Sequence, residues 1–277
     1  MYNNYYLNKT ALVTGGGSGM GRGLCHKLAE CGAIVFCTDI NLANAEETVK
    51  LIGNDTAVAR KLDVTQIEDF DAVVGEMVTT HGRIDLIFNN AGMGISGELR
   101  DISISQWKKV MDVNFYGVLH GSHTAYQQML KQGSGQIVNT SSLAGLLGMI
   151  PLIGPYSASK HAVLNYTRVL RNEAKAFNIK ANTVCPGYID TPIIDALPAI
   201  NAKPGWNREA IKQFEPGLSI EKAADNILKG AAANKEVILF PRVARLILQF
   251  SRLFKGLFLK ASNKSLTDFR ERFRLNE

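Results

Sequence analysis

No run of eighteen apolar residues occurs in the 277-residue chain, so no helix is expected to span a membrane. The first residues, Met1 to Asn8, are rich in Tyr and Asn and lack the basic start and apolar stretch of a secretory leader. Only four cysteines are present (Cys25, Cys31, Cys37, Cys185), with neither a CxxC pair nor a Cys/His metal spacing. That argues against a disulfide scaffold and a metal module, and buried thiols in a reducing compartment are expected. Internal repeats and low-complexity segments are also missing. Residues 1–240 have no excess of either charge, holding twenty-two basic and twenty-two acidic side chains. The net charge of +6 resides in residues 241–277, with nine Lys/Arg against three Asp/Glu. A general nucleic-acid-binding surface is therefore excluded in favour of a local basic patch.

What is present is the composition of a globular protein, 46% apolar and 20% charged, long enough to bury a full core. Short β-branched or apolar runs alternate with helix-length segments. Strands are predicted at Lys9–Thr14, Ala33–Asp39, Ala57–Asp63, Ile84–Asn89, Gln136–Ser141, Lys180–Cys185 and Glu236–Phe240. Helices are predicted around 19–31, 42–52, 66–81, 103–131, 156–177 and 220–233. Strands spaced by helices imply right-handed crossovers and a parallel sheet covered on both faces, an α/β doubly wound architecture. The chain divides into one domain over 1–240 and an extension over 241–277. The least regular stretch, Gly187–Gly217, holds Pro192, Pro198, Pro204 and Pro216 and reads as a long functional loop with short helices.

The first strand runs into Thr14-Gly15-Gly16-Gly17-Ser18-Gly19-Met20-Gly21, followed by a helical segment. Glycines there permit a tight turn and let peptide N–H groups approach a pyrophosphate at a helix N-terminus. Asp39 closes the second strand, where a carboxylate can accept hydrogen bonds from ribose hydroxyls and repel a 2′-phosphate. Neither Ser18 nor Ile40 offers the cation that such a phosphate needs, so NAD is expected rather than NADP. A turn or helix-cap role for Asp39 is the plain alternative. Asp63-Val64 and Asn89-Asn90-Ala91-Gly92 follow the third and fourth strands, at the sheet edge where α/β ligands lie.

Tyr156 and Lys160 are four apart in Gly154-Pro-Tyr-Ser-Ala-Ser-Lys160 and share one helix face. An ammonium close to a phenol favours the phenolate and lowers its pKa, which makes the tyrosine a general acid/base. Any amphipathic helix can carry such a pair, and the surrounding motifs decide.

Thr14-Gly-x-x-x-Gly-x-Gly21, Asp63-Val64, Asn89-Asn-Ala-Gly92, Asn114 in Asp112-Val-Asn-Phe, Ser142 in Ile137-Val-Asn-Thr-Ser-Ser, Tyr156-x-x-x-Lys160 and Pro186-Gly187 occur in that order. Together they resemble the short-chain dehydrogenase/reductase family over roughly residues 7–240. The resemblance implies a Rossmann sheet, hydride transfer between a nicotinamide and an alcohol or carbonyl, and a tetrad of Asn114, Ser142, Tyr156 and Lys160. Tyr156 would carry the proton, Lys160 would tune it and hold the nicotinamide ribose, and Ser142 would hydrogen-bond the substrate oxygen. Asn114 would anchor a proton-relaying water. Of Ser141 and Ser142, the distance in sequence to Tyr156 favours the latter. Cofactor contacts are expected from Gly15, Ser18, Gly19, Met20, Gly21, Asp39, Asp63, Val64, Asn90, Ala91, Gly92, Tyr156, Lys160, Pro186, Gly187, Ile189 and Thr191. His120, His123 and His161 carry no expected role.

The stretch between Ser142 and Tyr156 has no charged side chain, and the loop after Gly187 holds Ile193, Ile194, Leu197, Ile200 and Trp206. An apolar alcohol or ketone, such as a steroid, retinoid or lipid-like compound, is the expected substrate. In Val243–Leu259 the residues Val243, Leu246, Ile247, Phe250, Leu253, Phe254, Leu257 and Phe258 form one helical stripe. Arg245, Arg252 and Lys255 lie opposite, with Leu248 and Leu259 interrupting the polar side. Such a helix suits a membrane surface through residues 241–260 or docking on the domain or a partner subunit. A homo-oligomer, dimer or tetramer, is implied by the family. The expected location is cytoplasmic, or peripheral to a membrane where the tail binds one. Rival readings are an NADPH-dependent carbonyl reductase and a non-catalytic dinucleotide-binding regulator or membrane-recruited scaffold.

Overall fold

A computed structural model describes residues 2–191, 197–212 and 216–275. Among these residues seven strands, β1 (Thr10–Thr14), β2 (Ile34–Asp39), β3 (Ala57–Lys61), β4 (Leu86–Asn89), β5 (Gly135–Thr140), β6 (Ile179–Pro186) and β7 (Val237–Phe240), form one sheet. Its order is β3-β2-β1-β4-β5-β6-β7 and every pairing is parallel. The order reverses between β1 and β4, so the carboxyl ends of these strands flank a crevice of the kind that holds ligands in open α/β sheets.

All five residues of β1 are buried, because helices cover both sides. Alternation sends Ala11 and Val13 into one core with Leu24, Leu28, Ile227 and Leu228. Leu12 enters the other with Phe70, Met77, Ala125 and Met129. The four cysteines are free thiols, all buried. Helix ends follow their sequence signals. Asn41 caps Leu42–Ile52 by accepting the Ala43 N–H at 3.1 Å. Ser103 and Gln106 build a capping box at Ile104–Met111.

Four departures from the sequence reading bear on function. The segment expected as one helix over 103–131 contains a π-helical turn, Asp112–Tyr116, between Ile104–Met111 and Gly117–Gln132. The helix bearing Tyr156 starts two residues early, at Gly154, because Pro155 suits a helix's first turn. A short helix, Asn3–Tyr6, docks beneath the sheet, with the Tyr6 hydroxyl donating to the Leu228 carbonyl at 2.7 Å. The single helix expected over Val243–Leu259 is two, Arg242–Leu253 and Lys255–Asp268, broken where Phe254 leaves helical geometry (φ −121°, ψ 50°).

Candidate active site

The site grows from the carboxyl ends of β1, β4, β5 and β6. After β1 the chain turns through Gly15 (φ 65°) and Gly19 (φ 49°), conformations that favour glycine. A methyl on Gly21 would lie 1.9 Å from the Gly15 carbonyl oxygen, so the following helix begins flush against the turn. Ser18 is exposed and its side chain does not cap Gly19–Glu30, leaving the first-turn N–H groups open to an anion. Asp39 lies within reach of this turn. Its Oδ2 accepts the Gly17 N–H at 3.1 Å and its Oδ1 the Asn41 N–H at 3.0 Å. Each oxygen keeps a lone pair for a further donor. Arg22, which shares Gly17 with Asp39, is tied to the Gly17 carbonyl, to Thr48 and to Glu47. The Asn90 side chain donates to the Thr14 carbonyl at 3.1 Å while its own buried Oδ1 has no partner among the described residues. A bare helix terminus, a left-handed glycine turn and an unpartnered amide oxygen fit a dinucleotide.

Thr14 organises this corner: its hydroxyl accepts the N–H groups of Asn90 and Ala91, both at 3.0 Å. Asp63, after β3, closes a turn by accepting from the backbone and hydroxyl of Thr65. His120 donates to the Val64 carbonyl at 3.0 Å and so fixes the next peptide. On the β6 side, the Leu143 N–H bonds to the Pro186 carbonyl, and Gly187 N–H to Phe240 O. Leu218 pairs with the peptides of Tyr188 and Asp190 that flank Ile189. Thr191 closes over the glycine turn, its methyl 3.5 Å from where a side chain on Gly19 would begin. Met20 is half-buried against the core. Ile193 and Ile194 lie outside the described residues.

The four tetrad residues converge. Asn114, fully buried, is turned inward by the π segment, a feature frequent at functional sites. Its amide donates to Met93 O (2.8 Å) and Ser159 Oγ (3.0 Å), and its oxygen accepts Met93 N–H (2.8 Å). This pins the loop after β4. A methyl on Gly92 would meet Asn114 Oδ1 at 3.1 Å and Lys160 Nζ at 3.3 Å, so glycine there lets backbone, amide and ammonium meet. Lys160 is 3% exposed and donates to the Thr140 carbonyl at 2.9 Å. Ser141 donates to the Lys160 carbonyl at 2.7 Å, whereas Ser142 reaches the Tyr156 hydroxyl and accepts the Ala144 N–H. The two adjacent serines thus divide into a brace and a site hydroxyl.

Electrostatics here run opposite to the sequence expectation. Burial raises the Tyr156 pKa and the Ser142 hydrogen bond pulls it back only in part. Burial also lowers Lys160 from 10.5 to about 8. The ammonium lies 5.8 Å from the tyrosine ring centre, so desolvation outweighs mutual attraction. Cys185 beneath them is pushed up to about 12 by burial and stays a neutral thiol.

Apolar loops surround the tyrosine. A methyl on Gly94 would sit 2.4 Å from Leu197 and 3.7 Å from the Tyr156 ring. Ser96 bridges to Ala199, and Gly97 N–H bonds to Leu152 O. Leu152 and Trp206 then pack with Phe269 of the tail. Tail residues complete this roof. Trp206 stacks edge-on against Phe269 at 4.9 Å, and Lys203 N–H bonds to Phe273 O at 2.7 Å. Arg270 and Arg274 both grip Glu98 at 2.6 Å, while Arg274 also reaches Asp101 at 2.7 Å. Arg270 foremost, with Arg100 and Arg274, holds the Glu98 carboxyl down to about 2. Thr14, His120, Ser159 and Gly94 were assigned no role from sequence. Thr14 and Ser159 lie inside the quoted motifs, but only the fold shows what their hydroxyls hold.

The short chain dehydrogenase family model matches residues 9–200. Over 194 residues the chain is 40% identical to cyclohexanol dehydrogenase of Acinetobacter sp. (strain SE19), covering 69% of this chain and 77% of that protein. It is 34% identical over 195 residues to a 3-alpha-(or 20-beta)-hydroxysteroid dehydrogenase of Mycobacterium bovis, covering 69% and 73%. The crystal structure of a short chain dehydrogenase/reductase from Burkholderia phymatum in complex with NAD superposes with a TM-score of 0.81 at 29% identity, covering 91% and 95%. With matching sequence, sheet and site, the chain belongs to the short chain dehydrogenase family, oxidoreductases that bind a nicotinamide cofactor.

Proposed function

We propose that this protein is an NAD(H)-dependent oxidoreductase that transfers a hydride between the nicotinamide and a hydroxyl or ketone of an apolar small molecule. The observation that carries the reading is the meeting of Tyr156, Ser142, Lys160 and Asn114 at one end of the sheet, under apolar loops. The cofactor, when bound, accepts or donates the hydride and carries positive charge in its oxidised form. Tyr156 moves the proton at the substrate oxygen. Ser142 donates to that oxygen and stabilises charge developing there. Lys160, neutralised with little effort, holds the ribose and takes up a proton. Asn114 is a positioning residue that fixes the Met93 loop. Gly15, Ser18, Gly19, Met20 and Gly21 cradle the pyrophosphate, Asp39 receives the ribose, and Asp63 with Val64 lines the adenine side. Asn90, Ala91 and Gly92 with Pro186, Gly187, Ile189 and Thr191 enclose the nicotinamide half.

Asp39 beside an already engaged Arg22 supports NAD over NADP. Cyclic alcohols come first as substrates, because relatives named for cyclohexanol and hydroxysteroids share about two thirds of the chain. We place the enzyme in the cytoplasm as a homo-oligomer. A panel of cyclic and long-chain secondary alcohols with NAD or NADP, followed by nicotinamide absorbance, tests the reading. Turnover with NAD is expected, lost in Tyr156→Phe while NAD binding persists. Undiminished turnover of Tyr156→Phe, or a preference for NADP, refutes the corresponding part.

A further inference from the structure

Residues 242–264 hold six Lys/Arg and no acidic side chain. An amphipathic helix ordinarily buries its large apolar face and shows water the rest. Here the orientation is reversed. Arg242–Leu253 packs on the domain through Ala244, Leu248 and Ser251, at i, i+4 and i+7. A methyl on Gly187 would come within 3.2 Å of the Ala244 Cβ, which shows how closely the helix is seated. Val243, Leu246, Phe250, Leu253, Phe254 and Leu257 point outward, each between 43% and 76% exposed. The Phe250 and Phe254 rings lie 5.3 Å apart on that side. By helical spacing, Arg242, Arg245 and Arg252 line the flank between the buried edge and the outward face. Leu248, which interrupts the polar side in sequence, is the anchor. A contiguous apolar patch of this kind marks an interaction surface.

We infer that this face docks on an anionic lipid bilayer. Charge decides the occupant. Two copies meeting through this face would bring the flanking Arg242, Arg245 and Arg252 of each toward those of the other, and the two tail helices hold no acidic side chain before Asp268 to offset them. Phosphate and serine headgroups supply the missing negative charge, and the Phe and Leu side chains reach the acyl boundary. The helix also rests against Ala144–Leu147, the turn that follows Ser142, so the lipid would border the substrate side of the sheet. Binding to lipid does not depend on the catalytic reading, and either can fail alone.

The test is flotation of the full chain with vesicles of phosphatidylcholine, alone or mixed with phosphatidylserine. Recovery with the mixed vesicles is expected, with loss at high salt. Leu246→Ser/Phe250→Ser/Leu253→Ser changes only outward side chains and should abolish flotation with Tm and NAD binding unchanged. Arg242→Glu/Arg245→Glu/Arg252→Glu should weaken it by roughly fivefold or more per cation. No recovery of the parent chain with anionic vesicles overturns the proposal, as does equal flotation of the triple-Ser variant. A parent dimer that becomes monomeric in that variant overturns it too, in favour of an interface between copies.

Discussion

A Lys160→Met substitution probes the electrostatics of the site without substrate. Burial holds this ammonium at about 8 against an ordinary 10.5, so carrying the charge costs the folded state about 3 kcal/mol at pH 7. The cost is complete below pH 8, where folded and unfolded chains both hold the proton. Between pH 8 and 10.5 the folded lysine has released its proton while the unfolded one has not, so parent stability climbs through that window. Methionine has similar length and no charge, but it takes away the donor to the Thr140 carbonyl, a loss of about 1 kcal/mol. The variant should therefore be more stable than the parent by roughly 2 kcal/mol at pH 7 and slightly less stable at pH 10.5. Urea unfolding followed by circular dichroism across this range measures the difference. A less stable variant at pH 7, or a gap that does not move between pH 8 and 10.5, refutes the reasoning. Turnover should be lost in the same protein, because the stability of this position is traded for function.

Asp39→Ala should weaken NAD binding by about ten- to a hundredfold, as expected for hydrogen bonds to a charged acceptor, and weaken NADP binding far less; titration calorimetry with both dinucleotides measures the ratio. Gly21→Ala places a methyl 1.9 Å from the Gly15 carbonyl oxygen, so the turn must open. A loss of about 3 kcal/mol or more in urea unfolding is expected, together with loss of dinucleotide binding. Arg274→Ala removes ties to Glu98 and Asp101 that clamp the loop after β4 to the tail. The KM for the alcohol should rise severalfold while that for NAD stays, and equal effects on both would show that the clamp acts on the whole domain.

Legibility followed the range of the interactions. The seven strands were readable because short apolar or β-branched runs are spaced by helix-length segments. The glycine turn and the Tyr156/Lys160 pair were readable because their constraints act within a few residues. Asn114 was identifiable as a residue, but not its inward rotation, since a π turn carries no periodic signature. The Val243–Phe258 stripe was visible, yet periodicity cannot say which side of a helix meets the protein. Small Ala244 and Ser251 won that contact because Gly187 admits close approach. The burial that raises the Tyr156 pKa was not legible, because the spacing of Tyr156 and Lys160 shows their proximity and not how far the fold takes them from water. The grip of Arg270 and Arg274 on Glu98 joins residues too far apart for any local pattern to reveal.

That grip also sets an order of assembly. Glu98 and Arg274 are separated by 176 positions. At about 5–20 residues per second of synthesis, roughly ten to thirty-five seconds pass between their appearance. During that interval the strands that carry the glycine turn can already pair, while Trp206 and Leu152 wait without Phe269 to cover them. The glycine turn and Asp39 can thus be in place in the nascent chain before the roof over Tyr156 closes. Chaperones that recognise exposed apolar loops would meet this chain at the roof of its site, and only until Phe269 and Arg274 arrive.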